Sequence, residues 1–468
     1  MWPTPTRWPT TRAPAANPPR HHTMTDNAKS RAVPVGRLSR LARLGTLAGG
    51  IASGMVAEGA RRLASGQRPQ WQDLLLTPAN ATRFAHQLSQ MRGAAMKMGQ
   101  LLSMDAGDLL PPTLRDILAT LREDAHTMPL SQLADVLEQE WGEDWQTRFK
   151  RFSFQPVAAA SIGQVHRAEL ASGQTLAIKV QYPGVARSID SDVDNVASLL
   201  RLSGLLPPGF ELATLLTEAK RQLHQEADYQ QEAANLQHYR QLLAGHADLL
   251  LPQAVPELCT PRILAMDFID SVPITTLQQA PQAERDRVAT LLFDLLLREI
   301  FDFACLQSDP NFANYRYQPD SGRLVLLDFG ATRRLAADTV QHYRRLLLAA
   351  QAQDRQALGE AATALGYFPQ QVSAQHYDEV MAIFLLACEP LRHAGAYDFG
   401  HSTLAARMRD AGWAMRHERD AWHTPPVDAL FLHRKVAGLY LLAARLQARV
   451  DIASLFARYH SSPAAITS

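Results

Sequence analysis

At Phe149 the hydrophobic period of this chain changes, and that change limits the folds open to it. Upstream, over residues 80–145, apolar residues recur every three or four positions, with breaks at Pro111-Pro112 and Pro129, which is a helical pattern. Segments 149–154, 162–170 and 175–182 then read as strands, the last two joined by the turn Ala171-Ser172-Gly173-Gln174. A long helical stretch covers about 211–243, "RILAMDFI" (262–269) reads as a buried strand, and a helix rich in Leu and Phe covers about 283–305. "FANYRY" and "RLVLLDFG" flank Gln318-Pro319-Asp320-Ser321-Gly322 as a hairpin, and 336–457 is almost all helical in pattern. Helices, then a small sheet, then mostly helices is an α+β order, not an alternating βαβ one.

Charge and cysteine usage narrow the function classes. Lys plus Arg is 47 and Asp plus Glu is 46, so the basic excess needed to grip a nucleic-acid backbone is missing, and no nucleic-acid partner is expected. Cys259, Cys305 and Cys388 lie far apart without a CxxC, which argues against a disulfide scaffold or zinc ribbon and for a reducing compartment.

The N-terminal region carries two separate signals. The first 20 residues hold six prolines, three arginines and no acid, a composition that reads as a disordered leader over 1–35. It lacks a secretory apolar run, and its prolines break the amphipathic helix of a transit peptide. Met24 offers a second start, leaving 1–23 either a native segment or an upstream extension of the reading frame. Arg37, Arg40 and Arg43 then precede fourteen uncharged residues, Leu44 to Ala57, with the pairs Gly45/Gly49 and Gly50/Gly54. That run is too short to span a bilayer. It reads either as a surface-lying membrane segment or as a small-residue helix packed on its own domain. The expected setting is cytoplasmic and bacterial, with peripheral membrane association.

The chemistry is carried by five residues. Asp309 followed by Asn314, and then a strand ending in Asp328-Phe329-Gly330, is the base and metal apparatus of phosphoryl transfer in kinases. An Asp orients the acceptor hydroxyl, and the hard oxygens of Asn and Asp hold Mg²⁺ against phosphates. "LAIKV" puts Lys179 on an alternating strand, third in its small sheet, where a kinase keeps the lysine that pairs with nucleotide phosphates. Glu232, on the long helix, can supply its ion-pair partner. Each residue alone has a plainer reading (a solvated strand lysine, a turn after a buried strand), but all five stand in the right order on the right element types. No Walker A motif, G-x-S-x-G or H-E-x-x-H is present. His224 and His238 lack ligand spacing, and Trp141 with Trp145 reads as packing.

These segments, with "AAMKMGQLLS" (94–103), "PVAAASIGQVHRAEL" (156–170), "LAIKVQYPGV" (176–185), "EADYQQEAANL" (226–236) and "QSDPNFANY" (307–315), resemble the UbiB family of atypical kinases, also called aarF-domain-containing kinases. The resemblance spans roughly 40–335. It implies a protein-kinase-like bilobal fold: a helical extension over 36–148, an N-lobe over 149–270, a mostly helical C-lobe over 271–457 and a tail over 458–468. It also implies that Lys179 contacts the nucleotide phosphates, Glu232 holds Lys179, Asp309 is catalytic, and Asn314 and Asp328 bind Mg²⁺. Ala158, Ala159, Ala160 and Ser161 would form the loop over the phosphates of ATP or ADP. Lys97 and Gln100 would lie on a helix folded over the site, with Glu226 and Asp228 as the matching acidic pair.

Three departures from ordinary protein kinases bear on substrate. Alanines replace the glycines of the phosphate loop, and they lack the positive-φ freedom of Gly. Gln307-Ser308 stands where kinases carry His-Arg, and "ATRRLAADTVQHY" leaves little room for a peptide-docking loop. All three weaken the case for phosphorylating proteins in trans. The resemblance implies an ATPase or unorthodox kinase supporting ubiquinone (isoprenoid quinone) biosynthesis at a membrane surface. Quinone precursors and enzymes of that pathway would be its partners, and a homodimer is compatible with it. A nucleotide-gated lipid-binding chaperone or scaffold is the alternative. A small-molecule kinase like the antibiotic phosphotransferases fits the "KMGQ" and Ala-rich segments less well.

Overall fold

The computed structural model describes residues 93–95, 97, 128–160, 162–202, 212–368, 372–415 and 426–460. The fold is α+β. Two compact units form: one takes the described residues up to Ala234 with Gln253–Phe268, the other Asn235–Pro252 with those from Ile269 onward.

In the first unit, strands Phe149–Phe152, Gly163–Leu170, Thr175–Gln181 and Ile263–Asp267 lie in that order, all antiparallel. The short strand Ala158–Ala159 pairs with Gly163–Leu170 as well, Ala158 facing Val165 and Ala159 facing Gln164. Thr175–Gln181 is central and its apolar positions are buried, which explains the run Leu176, Ala177, Ile178 and Val180 around Lys179. Helix Leu130–Trp141 buries Leu133, Val136, Leu137 and Trp141 against this sheet's core. Trp141 and Trp145 pack with Phe149, and the Trp141 indole N–H donates to Leu258 O at 3.0 Å. Packing is thus the role of this pair.

Helix Val185–Leu202 follows the lysine strand, at a place where no element was read from the sequence. The stretch expected as one helix is two, Leu212–Glu226 and Tyr229–Leu242. The break at Ala227-Asp228 has a cause on each side: Gln181 Nε2 donates to Ala227 O at 2.7 Å, and the Asp228 carboxylate accepts the Gln231 N–H at 2.9 Å as an N-cap.

In the second unit, strands Tyr315–Gln318 and Arg323–Leu326 form the expected hairpin, closed at Gly322 with φ +67°. Leu249–Leu250 flanks it in parallel and Val272–Pro273 antiparallel. Helix Gln282–Phe301 buries Leu292, Phe293, Leu296 and Ile300 and stops four residues earlier than the expected 305. The Phe303 N–H turns back to Arg298 O and Ala304 adopts φ +46°, so that Cys305–Gln307 emerges as a strand paired with Thr332–Arg334. Among the described residues beyond Arg334, the regular elements are helices, apart from the small ladder Tyr397–Asp398 with Arg449–Val450. All three cysteines are free.

Candidate functional site

In the first unit the sheet fixes Lys179 from both sides, since its strand neighbours are Val165 and Leu264. Its ammonium reaches both carboxylate oxygens of Glu232, at 2.9 and 2.8 Å, and lies 4.8 Å from the centroid of the Tyr229 ring. Glu232 sits in the first turn of its helix, where the helix dipole favours a carboxylate, and is 2% exposed.

Gly163 determines how the alanine hairpin meets the lysine strand. A Cβ there would lie 2.3 Å from Val180 O, so only Gly allows the two strands their spacing. Ala160 N–H closes the hairpin onto Gly163 O at 2.9 Å. Behind it runs a buried relay. Met128 N–H donates to Gln164 Oε1 at 3.0 Å, Gln164 Nε2 lies 2.8 Å from His166 Nε2, and His166 Nδ1 lies 2.8 Å from Ser153 O. The carbonyl requires a proton on Nδ1 and the amide N–H requires a lone pair on Nε2, so this imidazole is neutral. Burial lowers its pKa to about 4, against the opposing pull of the Ser153 carbonyl.

Lys97 is buried and its Nζ is 2.5 Å from Glu226 Oε1. The expected acidic pair therefore divides its labour: Glu226 takes Lys97, and Asp228 caps the following helix. Gln100 and Ser161 lie outside the described residues, as does the arginine and glycine-rich stretch over 36–62.

In the second unit Asn314 is 9% exposed, and its Nδ2 donates to Asp309 Oδ2 at 3.0 Å. Asp309 Oδ1 is buried without a hydrogen-bond partner among the described residues, 3.6 Å from Arg434 Nη2. The Leu327 N–H donates to Asn314 O at 3.1 Å, which ties the strand end before Asp328 to the turn bearing Asn314. Asp328 Oδ1 accepts the Gly330 N–H at 3.0 Å. Phe329 is fixed by the Asn235 amide on its carbonyl at 2.9 Å and by the Tyr239 ring at 4.7 Å.

These donors fit Mg²⁺. With Nδ2 committed to Asp309, the Asn314 amide has only its oxygen for a cation, and Asp328 brings a carboxylate, so both are hard ligands. No cluster of three His, Cys, Asp or Glu exists among the described residues.

The sequence reading missed several residues that hold this arrangement: Gln164, His166 and Gln181 in the first unit, Arg434 and Lys435 in the second. A signal for the last two was available. His433-Arg434-Lys435 interrupts an otherwise apolar run on helix Val427–Leu446, and charges inside such a helix need partners.

The chain matches the ABC1 atypical kinase-like domain over residues 120–362. It is 39% identical over 437 residues to Atypical kinase COQ8, mitochondrial, of Saccharomyces cerevisiae, covering 92% of this chain and 86% of that protein. Atypical kinase COQ8B, mitochondrial, of Rattus norvegicus is 38% identical, with 92% and 82% covered. Among solved structures, the complex of Rv3197 with erythromycin from Mycobacterium tuberculosis superposes with TM-score 0.57 at 25% identity, covering 80% of this chain and 95% of that one. The two curated relatives are mitochondrial proteins of eukaryotes, and this overturns the cytoplasmic, bacterial setting expected above. That expectation rested on cysteine usage and a proline-rich leader. Neither discriminates, because a reducing interior is common to several compartments and a targeting segment is read apart from the folded domain. No helix among the described residues is long and apolar enough to cross a membrane.

Proposed function

Because the chain belongs to the ABC1 atypical kinase-like family, identified from sequence as UbiB, we propose that it is an atypical kinase or ATPase that binds ATP or ADP with Mg²⁺. The observation that carries this reading is the pairing of Lys179 with Glu232, in a chain that also holds Asp309 hydrogen-bonded to Asn314. Lys179 would neutralise phosphate charge, with Glu232 holding its ammonium in place against rotation. Asn314 and Asp328 would hold Mg²⁺, which supplies charge neutralisation on the phosphates. Asp309 would orient the acceptor hydroxyl and take its proton at Oδ1, while Asn314 Nδ2 keeps Oδ2 in place.

The biological role proposed is support of ubiquinone biosynthesis at a membrane surface, with isoprenoid-quinone precursors and enzymes of that pathway as partners, and a homodimer as a further assembly. Nucleotide hydrolysis measured with and without anionic liposomes and prenylated phenols tests it. Mg²⁺-dependent hydrolysis raised by both additives, and lost in Asp309→Asn, is the expected result. Undiminished quinone synthesis in cells carrying Lys179→Ala or Asp309→Asn would count against the reading. The alanine hairpin favours one alternative, a nucleotide-gated lipid-binding scaffold, since Cβ groups replace the bare backbone of a glycine loop. Full function in a variant that binds nucleotide but does not hydrolyse it would favour that alternative.

A further inference from the structure

Gln307 stands where an ordinary kinase has a histidine, and each of its polar groups meets a buried partner. Its N–H donates to Glu299 Oε1 at 3.2 Å, and its carbonyl accepts from Lys435 Nζ at 2.7 Å. Its side-chain Oε1 accepts from the same ammonium at 2.9 Å, and its Nε2 donates to Asp328 O at 3.2 Å. Lys435 and Glu299 are 2% and 1% exposed and 3.4 Å apart. Glu299 Oε1 also accepts the Tyr239 hydroxyl at 3.1 Å. Gly438, one turn beyond Lys435, lets this helix touch Pro310, since a Cβ there would lie 2.3 Å from Pro310 Cβ.

We propose that Lys435 is a positioning residue for phosphoryl transfer: by fixing the amide orientation of Gln307, it sets the main chain of Asp328. The orientation has one solution. An ammonium has donors only, so it must face Oε1, and Nε2 is then turned to the Asp328 carbonyl. A flipped amide would set NH₂ against NH₃⁺ and oxygen against oxygen. Glu299 keeps Lys435 charged in a dry site: burial alone would push the ammonium down, and the carboxylate holds it above its ordinary value. Lys435, on the helix Val427–Leu446, thereby acts on a metal-binding Asp more than a hundred residues before it in the chain. This inference rests on the proposed Mg²⁺-dependent activity.

The test compares the full-length wild type, Asp309→Asn, Gln307→Glu and the neutral pair Glu299→Gln/Lys435→Met. Gln307→Glu keeps shape and an acceptor for Lys435 but sets an oxygen against the Asp328 carbonyl. The neutral pair releases the amide without stranding a buried charge. Residues that orient metal ligands typically change metal affinity or activity by about 10–100-fold. Both variants are therefore expected to raise the half-saturating Mg²⁺ and lower kcat by about tenfold or more in protein that stays folded at the assay temperature, with Mg²⁺-free nucleotide affinity little changed. A merely structural role would instead lower the melting temperature and leave the Mg²⁺ dependence of the folded fraction alone. Wild-type Mg²⁺ dependence in Gln307→Glu or in the neutral pair overturns the inference, and Gln307→Glu alone decides it if the pair does not fold. No hydrolysis by the wild type, or full hydrolysis by Asp309→Asn, overturns the proposed function and this inference with it.

Discussion

Lys179 and Glu232, on a central strand and on the first turn of a helix, meet through both carboxylate oxygens at 2.9 and 2.8 Å. Their side chains are 12% and 3% exposed, so neither charge is left to water. Removing one partner of such a pair costs roughly 3–5 kcal/mol, because the other stays behind as a buried charge. Lys179→Met is therefore expected to lower stability by about that much, and Lys179→Met/Glu232→Leu by much less than the sum of its singles. Nucleotide affinity should be lost in every variant lacking Lys179, whatever its melting temperature. Denaturant unfolding and fluorescent-nucleotide titration separate the two effects, and additive single-variant costs would show that the ion pair contributes nothing.

The spacing between the alanine hairpin and the lysine strand gives a second prediction. Gly163→Ala puts a methyl 2.3 Å from the Val180 carbonyl, a main-chain atom in the sheet that cannot rotate away. Overpacking of this kind costs typically 1–3 kcal/mol, and here the strand itself must shift, so about 3 kcal/mol is expected. The same shift moves Lys179, two strand partners away across the ladder, and should raise the KM for nucleotide. An unchanged melting temperature in Gly163→Ala would contradict the backbone contact.

The element order was legible in the sequence because it is local, and the residues proposed for the site were picked out by their order along the expected elements. Strand alternation, turn chemistry and the Asp309-to-Asn314 spacing are set within a few residues of each other. The break at Ala227-Asp228 was not legible, since it depends on Gln181, far upstream, taking the Ala227 carbonyl. Helix Val185–Leu202 was legible but passed over: Ile189, Val193, Val196, Ala197 and Leu200 are buried at the three- and four-residue spacing of an amphipathic helix. Lys435 was out of reach because its meaning lies in Gln307 and Glu299, contacts of high sequence separation that no motif spacing encodes. The setting was misjudged because composition reports on a redox environment and not on an organelle.

His166 supplies a pH dependence with a definite sign. Its folded pKa, about 4, lies below the ordinary 6.5, so between these values the unfolded chain binds more protons and stability falls as the solution is acidified. The contribution is fully present above pH ~6.5, declines through the window and levels off below pH ~4, a loss of about 3 kcal/mol at 1.36 kcal/mol per pKa unit. His166→Gln keeps polar groups near Ser153 O and Gln164 but cannot titrate. The unfolding free energy of wild type minus that of His166→Gln, followed from pH 7 to 4, should fall by that amount within this window. A constant difference would mean that His166 titrates alike in both states.

Lys97 and Glu226 connect the N-terminal preface to the end of helix Leu212–Glu226, with Nζ 2.5 Å from Oε1 and side-chain exposures of 5% and 21%. The lysine is the more deeply buried partner, so stranding it is the worse error. Glu226→Ala is expected to destabilise the chain by about 3 kcal/mol and Lys97→Met by less, since the carboxylate left behind can still reach water. Lys97→Met/Glu226→Ala should then lie close to Lys97→Met alone, giving a coupling about equal to the cost of Glu226→Ala, on the order of 3 kcal/mol, in a double-mutant cycle. The effect on nucleotide handling is separable: the partners of Lys179 are untouched in these variants, so nucleotide affinity should change only as far as the preface bears on the alanine hairpin through Met128 and Gln164. Unfolding by denaturant, with nucleotide titration on the same samples, reads both quantities, and zero coupling in the cycle would exclude the ion pair.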